Sequence, residues 1–311
     1  MTPDNNSGFS RRAWLSAAGA TALTSLGTAT VNAADKAAAP QPPIDPNWKI
    51  TNGRIKQSVV QWCFGRAPNP IDVEALAVAV APLGFKSVEL VDPKFFPMLK
   101  KLGLVCAITG SHGFVKGWNH LENHAECQEK ITKSIHASAD AGFPSVITFS
   151  GMRQNLSDEE GKKNTIAGLK KVIGLAEEKK VTLCIEPLNS RVDVEMKGHP
   201  GYQCDTVEWA VDVCKAISSP RMKILFDIYH TQIMEGDVIT RIKQFHEYIG
   251  HYHTAGVPGR NEIDDTQEIN YPPIMRAIVE TGYQGYVGQE FIPTWDDKLA
   301  ALRHAAKVCD V

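Results

Sequence analysis

No Cys-x-x-Cys pair occurs in this chain of 311 residues, although it carries seven cysteines, at Cys63, Cys106, Cys127, Cys184, Cys204, Cys214 and Cys309. An odd number, scattered without close pairs, argues against both a disulfide framework and a thiolate zinc site. Cys63, Cys106 and Cys184 sit inside apolar runs and are expected to be buried as small hydrophobes. An excess of one charge is lacking too: 33 basic residues face 35 acidic ones, for a net charge of -2. That leaves no basic field to attract nucleic acid or an anionic membrane. No Gly-x-Gly-x-x-Gly turn follows the first apolar run, which removes the usual pyrophosphate cradle of a dinucleotide site. With 43% hydrophobic and 22% charged residues, the composition is that of a globular protein with a sizeable core.

The N-terminal segment differs from the rest. Ser10 to Leu15, with Arg11 and Arg12, precedes a weakly apolar stretch that carries no charge until Asp35 and ends in small residues around Val31 and Ala33. A charged start, a modest apolar stretch and an Ala-x-Ala-like end predict an export signal over residues 1–34. The stretch is too rich in small residues for a membrane span. The arginine pair resembles a twin-arginine signal, so the protein is expected to be exported to the periplasm or another extracytoplasmic space. No stable membrane insertion is expected afterwards. Residues 35–50, rich in Pro and Ala, read as a linker to a single domain over 51–311.

From Lys56 onward, short apolar runs alternate with longer amphipathic stretches. The runs are Gln57–Phe64, Lys86–Val91, Leu104–Gly110, Ser145–Gly151, Val181–Asn189, Met222–His230, Ile249–Gly256 and Gly285–Phe291. Helical patterns follow them at 72–83, 93–102, 120–141, 157–179, 206–217, 237–246, 272–281 and 296–308. Glycines close several helical stretches just before a strand, where a left-handed cap is needed. Strands alternating with helices imply a parallel sheet, and eight such units in roughly 250 residues predict an α/β fold, a closed (β/α)8 TIM barrel. In that fold the chemistry belongs at the C-terminal strand ends.

Those ends are polar. Glu89 stands in the second run and His112 follows the third; Glu186 closes the fifth, Asp227 and His230 the sixth, His251 and His253 lie in the seventh, and Glu290 closes the eighth. A carboxylate ending an apolar run needs a partner. Glu186, Asp227, His253 and Glu290 would share one divalent cation, and oxygen-rich ligation with one imidazole suits Mg2+ or Mn2+ better than Zn2+. Residues two apart point to the same side of a strand, so pattern alone does not separate His251 from His253. His253 is nearer the C-terminal lip and is expected to be the ligand, with His251 supporting it from lower in the barrel. Trp62, near the end of the first run, either walls the pocket or packs in the core, the more common fate.

At these residues the sequence becomes familiar. "IEPLNSR", "FDIYH", "AGVPGRNE", "EINYPPIM" and "GYQGYVGQEFIP", in that order, resemble the hydroxypyruvate isomerase family within the xylose isomerase-like barrels, which also include ketose 3-epimerases. The resemblance implies a (β/α)8 barrel, a divalent metal on Glu186, Asp227, His253 and Glu290, and acid-base roles for Glu186 and Glu290. It implies that His230 and Arg260 hold substrate oxygens. Glu89 and His112, read from their places near strand ends alone, are candidates for further substrate contacts or for structural roles. Bacterial hydroxypyruvate isomerases tend to carry glutamine at the position of His253 where the epimerases carry histidine, so the loop at Gly256–Arg260 resembles one branch and His253 the other. The expected reaction is hydroxypyruvate to tartronate semialdehyde through an enediolate. A ketose 3-epimerase and a non-catalytic sugar-binding barrel are the alternatives, and the near-neutral charge speaks against a DNA-cutting relative of the same superfamily. The expected partner is a small-molecule substrate; self-association into a homo-oligomer is left open.

Overall fold

The computed structural model describes residues 44–311. The expected export signal over 1–34, and residues 35–43 of the expected linker, lie outside the described residues. The end of that linker packs on the domain: Ile44, Trp48 and Ile50 lie against the core, and Ile50 N–H donates to Leu83 O at 2.9 Å.

Seven strands form one parallel sheet: β1 (Lys56–Val60), β2 (Ser87–Glu89), β3 (Ser145–Thr148), β4 (Thr182–Ile185), β5 (Met222–Asp227), β6 (Ile249–Thr254) and β7 (Tyr286–Gln289). Their order is β2-β1-β7-β6-β5-β4-β3, that of a ring with one place left between β2 and β3. The third apolar run fills that place. Val105 bridges Ser87 and Thr109 bridges Val146, both in parallel, so the barrel closes. Leu104–Gly110 is nevertheless not a regular strand, because side chains take over part of its ladder: Ala107 N–H donates to Ser87 Oγ at 2.8 Å, and Cys106 Sγ–H to Ile108 O at 3.2 Å.

The helices begin where capping side chains predict. Asp72, Ser157, Thr206 and Asp297 each accept from a backbone N–H three residues on. Gly84 and Gly142 sit at φ 96° and 73° directly after helical segments, as the left-handed caps require. The stretch expected as one helix over 157–179 is two, Asp158–Leu169 and Ile173–Glu178. Between them Lys171 and Val172 bond back only three residues, to Gly168 and Leu169. Gly168 faces Trp118 so closely that a β-carbon would lie 2.4 Å from the indole. All seven cysteines are free and buried. Among the described residues, no helix is long and apolar enough to cross a membrane.

Candidate active site

Four consecutive strand ends converge. Glu186 follows β4, Asp227 ends β5, His253 lies one residue before the end of β6 and Glu290 follows β7. All four are buried, and one ligand atom from each lies within 4.8 Å of the others.

Local structure fixes each group. Asp227 also caps the short helix Ile228–Met234: its Oδ1 accepts from Tyr229 N–H at 2.7 Å and His230 N–H at 3.4 Å, leaving Oδ2 for the cluster. That cap sets His230 on the first turn. Asn189, three residues after Glu186, donates its backbone N–H to His230 Nδ1 at 3.0 Å. With Nδ1 accepting, the proton of the neutral ring stands on Nε2, which is buried, makes no hydrogen bond and lies 3.6 Å from Asp227 Oδ2. Burial, then the nearby Arg260 guanidinium, pushes the His230 pKa well below its ordinary value and keeps the ring neutral.

Glu290 is held on both oxygens. Trp62 Nε1–H donates to Oε1 at 3.1 Å, Arg260 Nη2–H to Oε2 at 2.6 Å, and His253 Nδ1 stands 2.8 Å from Oε2. Burial opposes ionisation here, but Arg260 and His253 outweigh it and hold the carboxyl well below the usual range. Glu186 has the opposite setting. Its Oε1 is buried with no hydrogen-bond partner, and burial, reinforced by Glu290, raises its pKa well above the ordinary value. Burial also lifts Asp227 to about 6 against the pull of Arg260.

Arg260 reaches the cluster from the loop after β6. Gly256 N–H donates to Asn261 O at 2.9 Å and closes that loop; a β-carbon on Gly256 would lie 2.3 Å from Glu262 O. Arg260, at φ 56°, turns inward and is buried. Its guanidinium meets Glu290 and Asp227, donates to Met196 O at 2.7 Å, and lies over the rings of Trp62 and Tyr229 at 5.3 and 5.5 Å. Its Nε has no protein partner.

Two expected substrate contacts are placed elsewhere. Glu89 is completely buried, and its Oε2 takes His251 Nε2 at 3.0 Å and His253 Nε2 at 2.9 Å. It therefore lies across the His253 imidazole from Glu290, packed against protein. His112 has both ring nitrogens occupied, Nδ1 by the carbonyls of Gly113 and Lys116 and Nε2 by Thr148 Oγ1 at 2.9 Å. Nothing on the ring remains for substrate. Trp62 takes both of its expected places, packing against the core and donating to Glu290, and Asn189 is a further site residue. The Asn189 signal was present in "IEPLN", three positions beyond the carboxylate.

The donor set fits a divalent cation. Three carboxylates and one imidazole converge, the Glu186 Oε1 atom has no partner, and among the described residues the cluster's guanidinium is that of Arg260. Uncompensated carboxylates so deeply buried are costly.

The profile of the xylose isomerase-like TIM barrel family matches residues 78–309. A Xenopus laevis protein provisionally named hydroxypyruvate isomerase is 30% identical over 270 residues, covering 81% of this chain and 95% of the relative. The 2-oxo-tetronate isomerase of Cupriavidus necator is 39% identical over 113 residues, 36% of this chain and 41% of the relative. Among solved structures, L-ribulose 3-epimerase superposes with a TM-score of 0.68 at 17% identity, over 81% of this chain and 92% of that one. That last likeness concerns the fold.

Proposed function

The chain belongs to the xylose isomerase-like TIM barrel family, and on that footing we propose that it is a metal-dependent isomerase whose substrate is hydroxypyruvate, converted to tartronate semialdehyde. The observation that carries this reading is the convergence of Glu186, Asp227, His253 and Glu290 at four consecutive strand ends. Those four residues would hold Mg2+ or Mn2+. A divalent cation bound there supplies electrophilic stabilisation of the negative charge that develops on substrate oxygens.

The reaction moves two protons. One leaves C3 and arrives at C2; the other leaves the C3 hydroxyl and arrives at the C2 carbonyl oxygen, with an enediolate between. Two carboxylates can divide this work. Glu186 Oε1, which has no protein partner, is free to exchange a proton with substrate. Glu290 faces it with its orientation fixed by Trp62 and Arg260. His230 presents an Nε2–H whose direction is set by Asn189, a donor for a substrate oxygen. Arg260 adds positive charge beside the substrate carboxylate while holding Glu290.

A ketose 3-epimerase is the second reading, and His253 favours it, since glutamine at that position is the pattern of the isomerases. Purified protein stripped of metal and reconstituted with Mg2+, Mn2+ or Co2+ is assayed against hydroxypyruvate and a panel of ketoses. Hydroxypyruvate turnover that disappears on chelation and returns with metal is expected. Turnover of ketoses alone overturns the substrate assignment in favour of the epimerase, and turnover indifferent to chelation overturns the metal. We also infer export, from Arg11–Arg12 and the uncharged stretch behind them. A pair of lysines in place of these arginines is expected to leave the protein in the cytoplasmic fraction.

A further inference from the structure

Glu89 is a carboxylate with no exposure at all, in the second strand of the barrel, and its partners are two imidazoles of β6. A charge in that position requires an explanation, because an apolar residue would fill the space without cost to the fold. The geometry around it is specific. One oxygen, Oε2, takes both His251 Nε2 and His253 Nε2. An ionised carboxylate only accepts, so each of those nitrogens carries its proton. His253 Nδ1, 2.8 Å from Glu290 and 4.0 Å from Glu186, faces carboxylates as well, so the metal-free ring carries both protons; a cation among those carboxylates would displace the Nδ1 proton, while Glu89 holds the one on Nε2. Neighbouring β7 leaves room for the arrangement at Gly288, where a β-carbon would lie 2.8 Å from both Glu89 Oε2 and His253 Cδ2.

We infer that Glu89 is a positioning residue for the metal site: it selects the His253 tautomer that turns Nδ1 to the cation and fixes the ring plane, while His251 anchors the same oxygen from below. Three buried side chains and a strand glycine thus serve to aim one nitrogen. The same atoms are a poor second metal site, because His253 would then have to ligate through both ring nitrogens. The inference rests on the metal reading above, and its test separates the two.

Mn2+ binding is followed by electron paramagnetic resonance on the unsubstituted protein and on Glu89→Gln. The glutamine amide can turn its N–H2 toward His253 and favour the other tautomer, and a 10- to 100-fold weaker affinity is expected, the usual range for losing such a partner. His251→Phe is expected to weaken binding by less, since one donor to Oε2 remains. Independently of any substitution at Glu89, the Zn2+-loaded protein labelled with 15N-histidine is expected to show a His253 ring protonated at Nε2 and metal-bound at Nδ1, the signal being assigned by its loss in His253→Gln. A ring protonated at Nδ1 overturns the inference, whether or not Glu89→Gln folds. Stoichiometric uptake with unchanged affinity in a folded Glu89→Gln also overturns it, while sparing the metal site. An unsubstituted protein that takes up no Mn2+ removes the metal reading, and this inference with it.

Discussion

The two halves of the barrel treat their polar strand ends differently. From β4 onward each strand end delivers one group to a common point: Glu186, Asp227, His253, Glu290. In the first half the corresponding polar residues turn to other protein atoms. Trp62 steadies Glu290, Glu89 binds two imidazoles, and His112 ties the loop at Gly113–Lys116 to Thr148 at the end of β3. Residues of the same type at equivalent heights thus either converge on one point or brace other protein groups, according to whether the neighbouring strand leaves their polar atoms free.

Substitutions in the second half should break the reaction itself. Glu186→Gln and Glu290→Gln are each expected to lower kcat by about 10²- to 10⁴-fold, the span of general acid-base contributions, with KM altered far less in steady-state assays. Arg260→Met should next cost the metal-free protein about 3–5 kcal/mol in urea unfolding, because it leaves Glu290 and Asp227 buried without their cation; added Mn2+ should recover much of that loss. In the first half, Trp62→Phe keeps the ring but removes the N–H to Glu290. It is expected to lower kcat by roughly tenfold, about 1.4 kcal/mol. His112→Phe sharpens the contrast further: a stability loss of about 1–3 kcal/mol, from polar partners left buried and unpaired, with KM for substrate unmoved. A KM rise in that variant would return His112 to the substrate site.

The smallest expected effect lies away from the cluster. Glu235 has its pKa raised to about 7 by burial and by the neighbouring Glu208 carboxyl, although Arg241 stands beside both carboxyls and Val207 N–H donates to Glu235 Oε1. The folded state therefore holds a proton that the unfolded chain releases in the ordinary carboxylate range. The stabilisation is complete at lower pH and is lost as pH rises toward 7. Melting temperatures recorded from pH 4.5 to 8 should fall over that interval, and Glu235→Gln should flatten the slope.

Much of this was legible in the sequence, for identifiable reasons. Apolar runs that close on a carboxylate announce both the strand and its charged end, which is why Glu186 and Glu290 could be read directly, and Asp227 with them. The third strand misled because Ser87 Oγ and Cys106 Sγ, whose positions depend on barrel closure, replace part of its ladder. Trp62 reads as core or pocket wall and proves to be both; only the arrival of Glu290, 228 residues later, makes its N–H matter. Glu89 and His253 are 164 residues apart and meet only across the closed barrel. Local pattern carries no trace of that meeting.

The cap at Asp227 has a consequence for how the site can fail. One oxygen of that side chain starts the helix bearing His230 and the other faces the cluster, so a disturbance at either end is transmitted through a single rigid carboxylate. Losing the cluster contact should loosen the first helical turn, and fraying of that turn should misdirect the cluster oxygen. On the proposed function, capturing a cation and aiming the His230 donor toward substrate would be one mechanical event, and amide exchange at Tyr229 and His230 would report it.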